Sequence, residues 1–322
     1  MISQQYGPQR YLQFHHLAQF PELVHGIFTR HGGHSQSPYQ SLNTSASLRA
    51  EQHDNVNNVV RNRSLTLQAL NLPEQPCISL WQIHSANVIT YHSCDEWRTD
   101  WAYPTAYERP WTPASIHKAD ALITQQSGIT IALSFADCVP ILLYDPVERV
   151  IAIAHGGWRG TARGMSIAVV EAMCDQFGCQ SSNIRAGIGP AIGVCCYEVS
   201  EDVCDLFLGR STFDDMPTFP RYRDMVRSSA TFTTLEANGQ SSLYLDLWET
   251  NRRQLSLAGL LPEHIALSDI CTRCHVEDFF SHRGENGRTG RFPVIMALKD
   301  LATSGGDGQN ASITTVAPAT YK

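Results

Sequence analysis

Two apolar runs in the middle of the chain limit what it can fold into. They are Val139-Pro140-Ile141-Leu142-Leu143-Tyr144 and Val150-Ile151-Ala152-Ile153-Ala154, with the turn signal Asp145-Pro146 between them. Runs this short and this apolar read as buried strands. The sheet they form needs material on its faces. The chain has enough of it, with 322 residues, 43% hydrophobic and 17% charged. That is the composition of a globular protein, not a disordered one.

Each run touches one chemically capable residue. Cys138 precedes the first, and His155 closes the second. After His155 comes Gly156-Gly157-Trp158-Arg159-Gly160-Thr161, then a helix-like stripe. A second imidazole, His84, sits upstream in Trp81-Gln82-Ile83-His84-Ser85. One Cys and two His make a metal set with an open fourth position, or a thiol nucleophile with a base. The plain alternative is a packed thiol and two satisfied histidines.

The glycine turn is wrongly spaced for a Walker loop or a dinucleotide fingerprint. It still places the bare amides around Gly157, and the Arg159 side chain, at a helix start, where an anion is favoured. Arg30 ends a strand-like segment, 26–30, and leads into His31-Gly32-Gly33-His34-Ser35, another loop suited to an anion. Arg283 and Arg291, taken singly, read as solvated surface arginines.

Strands are also expected at 77–81, 87–91, 119–124, 129–135, 183–188 and 291–298. Helices are expected over 51–71, 161–177, 196–209 and 243–260, the last starting near Asp246. Residues 1–24 read as irregular entry with one edge strand, and 210–240 as a polar insertion. The stretch 95–115, rich in Trp, Tyr and Pro, reads as a long surface loop, and 303–322 as a disordered tail. The order of elements shows no regular βα period. The expected class is α/β with α+β character, a mixed sheet covered by helices. The expected layout is an N-terminal extension over 1–23, one domain over 24–302, and the tail.

The chain carries ten cysteines. Its N-terminus is polar, with no secretory apolar core, and no run is long enough for a membrane span. A cytoplasmic location follows as an expectation, and there cysteines serve packing, metals or catalysis more often than disulfides. Cys271-Thr272-Arg273-Cys274-His275 matches a haem-attachment pattern, but haem attachment belongs outside the cytoplasm. The same C-x-x-C could bind zinc, yet no second pair at suitable spacing follows it. Cys195-Cys196 reads as structural. The formal charge is −7 with no strong basic block, so neither nucleic acid nor a membrane is an expected partner. The sequence carries no signal for a particular oligomeric state.

A set of motifs resembles one known family. They are Phe28-Thr29-Arg30-His31-Gly32-Gly33, Gln82-Ile83-His84-Ser85, Ala119-Asp120-Ala121-Leu122-Ile123-Thr124, Ala136-Asp137-Cys138-Val139-Pro140 and His155-Gly156-Gly157-Trp158-Arg159-Gly160-Thr161. Gly187-Ile188-Gly189-Pro190, Cys195-Cys196-Tyr197-Glu198-Val199, Leu245-Asp246-Leu247, Cys271-Thr272, Phe279-Phe280-Ser281-His282-Arg283 and Thr289-Gly290-Arg291 continue the series. The chain resembles the multicopper polyphenol oxidase (laccase)-like family, whose members are also described as purine nucleoside phosphorylases with adenosine deaminase activity. The resemblance implies a single domain related to cysteine-dependent toxin deamidases. It also implies a metal held by His84, Cys138 and His155. One departure is Gly156, where the family usually has Ala.

The resemblance leads to a zinc-dependent purine nucleoside enzyme. It would phosphorolyse adenosine, inosine, guanosine and methylthioadenosine, and deaminate adenosine through a metal-activated water at C6. The expected catalytic residues are Cys138, His155, His84 and Arg30. Arg30, Arg159 and Gly157 are the expected phosphate or substrate contacts, by charge-assisted hydrogen bonds. The rivals are a copper-dependent polyphenol oxidase, with copper in place of zinc, and a Cys/His amide hydrolase editing cell-wall precursors.

Overall fold

The structure is a computed structural model, described for residues 1–45, 54–72, 77–91, 118–215, 218–237, 240–300 and 314–315. The expected loop at 95–115 lies outside the described residues, as does most of the expected tail.

The two apolar runs form β8 (Val139–Asp145) and β9 (Val150–Gly156), paired antiparallel. Every residue of both is buried. They occupy the centre of a six-stranded mixed sheet. Its other strands are β5 (Val88–Tyr91), β6 (Ala121–Thr124), β10 (Arg185–Ile188) and β14 (Ile265–Leu267), in the order β14-β10-β8-β9-β6-β5.

Alternate residues of these strands point to opposite faces, and both faces are covered. On one face, Ile141, Leu143, Ala152 and Ala154 pack with Val169, Val170 and Met173 of α4 (Met165–Phe177) and with Leu255 of α7 (Leu247–Leu257). On the other, Leu142, Tyr144, Ile151 and Ile153 pack with Ile131, Leu133, Val294 and Met296. Those four belong to β7 (Thr130–Phe135) and β15 (Phe292–Leu298) of a second sheet.

That sheet has seven strands in the order β16-β1-β2-β3-β15-β7-β4. The remaining members are β1 (Ile2–Tyr6), β2 (Gln9–Gln13), β3 (Leu23–Phe28), β4 (Cys77–Ile78) and β16 (Thr314–Thr315). Its far face packs against Leu67 and Leu70 at the end of α2 (Val56–Ala69). The architecture is therefore helix, sheet, sheet, helix. The expected mixed sheet under helices is present, and there are two of them face to face.

Three expectations change. The irregular entry at 1–24 is instead a β1–β2 hairpin, the short helix α1 (His15–Ala18) and β3, with Leu12, Phe14 and Leu17 in the core between the sheets. The polar segment 210–240, expected as an insertion, carries regular structure. It holds α6 (Arg223–Ser229) and β12 (Phe232–Ala237), which pairs with β13 (Gln240–Leu245). β13 also pairs with β11 (Glu198–Val199), so the expected helix at 196–209 shortens to α5 (Glu201–Phe207). A small third sheet, β11-β13-β12, results. Its strands mix polar and apolar residues with little hydrophobic periodicity to read.

α7 matters for the site. Asp246 caps it by accepting from Glu249 N, as expected from the sequence. Buried Asn251 then receives Ser166 Oγ at 2.7 Å, and Gln254 donates to Thr161 O at 2.9 Å. These bonds hold α4 and α3 (Trp158–Ala162), the short helix after Gly157.

Candidate metal and thiol site

Strand registers place the site residues. β8 pairs β9 with Val139 opposite Gly156, so Cys138, one residue earlier, meets Gly157. β6 pairs β9 with Ala121 opposite Ala154, so Asp120 meets His155. His155 N donates to Asp120 O at 2.7 Å, which continues that ladder into the site. His84 arrives on the turn between β4 and β5.

Asp120 is the residue that organises the cluster, and it is fully buried. Its Oδ1 accepts from His84 N at 3.0 Å and faces His155 Nδ1 at 2.9 Å. Its Oδ2 accepts from Ile83 N at 3.2 Å, Ser85 N at 2.6 Å and Ser85 Oγ at 2.7 Å. Burial works against its charge. The His155 hydrogen bond and charge, with the Ser85 bonds, outweigh burial and hold the carboxyl below its usual range. The turn it stabilises is strained, since His84 has φ 61°. Arg163, itself buried, donates to His84 O at 2.6 Å and closes the other side of the turn.

Cys138 is held in a similar way. Asp137 before it has φ 78°. The Asp137 carboxylate receives Thr272 Oγ1 at 2.6 Å, Ser281 Oγ at 2.7 Å and Arg283 N at 2.6 Å. The left-handed step at Asp137 re-aims the chain as it enters β8.

The result is a compact donor set. His84, Cys138 and His155 each offer one ligand atom, and these atoms lie within 4.8 Å of one another. Cys138 Sγ is 3.9 Å from His84 Nε2, and the two imidazole rings meet edge to face at 4.9 Å. Burial of Cys138 opposes its charge, but the neighbouring His155 and His84 more than reverse that, and the thiol is lowered to about 6. Burial likewise disfavours a charged His155. The Cys138 charge and the Asp120 hydrogen bond override it and raise the imidazole to about 10. Without a metal the pair is thiolate and imidazolium.

The same residues fit a metal. With His155 Nδ1 committed to Asp120, Nε2 remains as ligand, the carboxylate–histidine–metal arrangement of many such centres. Gly157 keeps the space open. A Cβ there would lie 3.0 Å from both Cys138 Sγ and His84 Cδ2.

The arginines divide. Arg159 is exposed in the first turn of α3, over the Trp158 ring at 4.3 Å. Arg30 is engaged elsewhere. It donates to Gln40 O at 3.0 Å, Val276 O at 2.5 Å and Glu285 Oε1 at 3.0 Å, and it stacks over Phe280. None of these partners is His84, Cys138 or His155. Arg291, expected as a solvated side chain, is half-buried. It donates to Thr289 O and Gly290 O, and burial pulls its pKa down against the nearby charges of Cys138 and Asp137. Arg283 lies over the Tyr197 ring, and that phenol is pushed up by burial and by the Cys138 charge. Arg283 and Arg291 are thus neighbours of the site.

The C-x-x-C expectation is corrected. A second thiol pair exists, and it precedes Cys271 and Cys274 in the chain. Cys195 and Cys196 meet them in space, with all four sulfurs within 4.8 Å of one another.

Asp120 was not singled out from the sequence. The available signal was a lone acid heading the apolar strand Ala121-Leu122-Ile123. Buried aspartates are rare unless paired.

Residues 24–299 match the family model described as multi-copper polyphenol oxidoreductase laccase. The chain belongs to this family. Among curated relatives, the purine nucleoside phosphorylase YlmD of Bacillus subtilis (strain 168) is 32% identical over 281 residues, 87% of this chain and 90% of that protein. An adenosine deaminase, RL5, from an unknown prokaryotic organism is 36% identical over 55% of this chain and 62% of its own length. The crystal structure of YlmD from Geobacillus stearothermophilus superposes with a TM-score of 0.73 at 31% identity, covering 93% of this chain and 99% of that one. The fold described above is thus the family's, a mixed α/β domain. No helix among the described residues is long and apolar enough to cross a membrane.

Proposed function

We propose that the chain is a zinc-dependent purine nucleoside enzyme. It cleaves adenosine, inosine, guanosine and methylthioadenosine with phosphate, and it deaminates adenosine. The observation that carries this reading is the Asp120-anchored His155 beside Cys138 and His84, with space kept open by Gly157. The names of the relatives supply the substrate class.

His84, Cys138 and His155 would hold the metal. When bound, zinc supplies a Lewis acid that lowers the pKa of water and polarises a substrate atom. The chain's own residues supply the rest. Asp120 fixes the proton on His155 Nδ1 and so fixes which nitrogen faces the site. Arg159 offers an exposed guanidinium, and Arg283 and Arg291 add positive charge near the site. Phosphate held there is positioned to attack C1′ of the ribose, which releases the free base and ribose 1-phosphate. Arg30 would act through the loop it braces by its bonds to Gln40, Val276 and Glu285.

Two His and one Cys could also hold a single copper, but multicopper oxygen reduction uses many more histidines. The candidate metal clusters among the described residues contain only His84 and His155 between them. The thiolate–imidazolium pair also suits amide cleavage. A covalent adduct on metal-free Cys138 would favour that reading.

The test is product analysis with adenosine, with and without phosphate, beside Cys138→Ala. Adenine that requires phosphate, or inosine that does not, each lost in the variant, supports the nucleoside enzyme. No product from zinc-loaded protein overturns it.

A further inference from the structure

Four thiols converge where two loops leave the same end of a sheet. β10 and β14 are parallel neighbours. The chain after β10 carries Cys195 and Cys196, and the chain after β14 carries Cys271 and Cys274. The pairing continues past the strands. Ala191 N donates to Ile270 O at 3.2 Å, and Thr272 N donates to Ala191 O at 3.0 Å. The loops are therefore held in register before any sulfur contact forms.

The sulfur separations are diagnostic. Cys195 to Cys196 is 3.7 Å, Cys195 to Cys274 is 3.7 Å, and Cys196 to Cys274 is 3.4 Å. A disulfide requires about 2.05 Å. A tetrahedral zinc with bonds of about 2.3 Å requires sulfurs roughly 3.8 Å apart. These three spacings are close to the edge of that tetrahedron, and Cys271 Sγ lies within 4.8 Å of the other sulfurs. Hydrophobic packing does not explain the cluster, because Cys195 and Cys274 are exposed.

The surroundings suit thiolates. Gly193 N donates to Cys271 Sγ at 3.2 Å. Arg273 donates to Cys196 O at 3.3 Å, and Arg283 donates to Glu198 O at 3.1 Å. The Arg273 guanidinium thus sits beside a group that would carry net negative charge with a divalent ion bound.

We propose that Cys195, Cys196, Cys271 and Cys274 bind a second zinc ion. Each thiol releases its proton to solvent as its sulfur binds the ion. Four protein ligands leave no open position, so this centre is structural, unlike the three-ligand site. It clamps the segment that supplies Thr272, Ser281 and Arg283 to Asp137, the residue before Cys138. The second ion therefore braces the first site from outside. This inference does not depend on the nucleoside reading.

The test is zinc content of the purified full-length chain by mass spectrometry. It compares wild type, Cys138→Ala, Cys274→Ser and the double variant. The expected contents are about two zinc per chain, about one in each single variant and about none in the double. Cobalt loaded into Cys138→Ala should show the intense thiolate-to-metal absorption of a four-sulfur site. That measurement leaves the cluster intact, so it does not depend on Cys274→Ser folding. A Cys138→Ala protein that retains no metal and gives no such band overturns the proposal. So does a Cys196–Cys274 disulfide in protein purified under reducing conditions.

Discussion

Replacing Asp120 with Asn should damage both stability and metal binding. The Asp120 carboxylate serves five donors, two on Oδ1 and three on Oδ2. An amide replaces one oxygen with a donor. The less costly orientation keeps the three bonds to Ile83 and Ser85 and turns the new NH2 toward His84 N and His155 Nδ1. Two hydrogen bonds to a charged acceptor are then lost. At about 1.5–3 kcal/mol each the cost is roughly 3–6 kcal/mol, a large share of the 5–15 kcal/mol typical of a folded domain. His155 can recover one bond by accepting from the amide at Nδ1. Its proton then moves to Nε2, the nitrogen needed for the metal. Loss of such an outer partner typically lowers metal affinity about 10–100-fold. The assays are urea unfolding, zinc competition against a chelating dye, and phosphorolysis rate. A D120N protein that unfolds within about 0.5 kcal/mol of wild type and binds zinc equally well would refute the role given to this carboxylate.

Other outcomes follow from the same geometry. Gly157→Ala puts a methyl 3.0 Å from Cys138 Sγ and His84 Cδ2. It should cost about 1–3 kcal/mol and weaken zinc binding, both visible in the same assays. In metal-free protein, alkylation of Cys138 by iodoacetamide should persist down to about pH 6 and fade below it, as the thiolate is protonated. Buried Cys77, whose thiol is pushed up by burial, should stay unreactive in folded protein, as peptide mapping would show. Arg159→Gln should raise the KM for phosphate several-fold with zinc content unchanged, since its guanidinium is exposed and outside the donor set.

The sequence by itself determined the centre of the molecule. The runs 139–144 and 150–154 are apolar at every position except the tyrosine hydroxyl, so they had to be buried strands, and β8 and β9 are those strands. Asp246 before an apolar stripe marked the start of α7, because capping chemistry is local. Cys138, His155 and His84 could be picked out as reactive types at strand ends or turns. Where the signal was weak, the reading was weak. β1, β2 and β12 are short and largely polar or half-exposed, so their pairing is set by neighbours far away in the chain.

Tertiary structure alone decided what those residues face. The β6–β9 register brings Asp120 to His155, and the β8–β9 register brings Cys138 to Gly157. The β8–β9 register is set locally by the short turn between them, whereas β6 and β9 are not consecutive, and their register follows from the core both strands bury. The meeting of Cys195 and Cys196 with Cys271 and Cys274 is decided in the same way, by the parallel pairing of β10 with β14. Arg30 was legible as a cation beside a glycine loop, but only the fold shows that Gln40, Val276 and Glu285 take up three of its N–H donors. Sequence identifies the groups capable of the chemistry, and long-range pairing determines which of them meet.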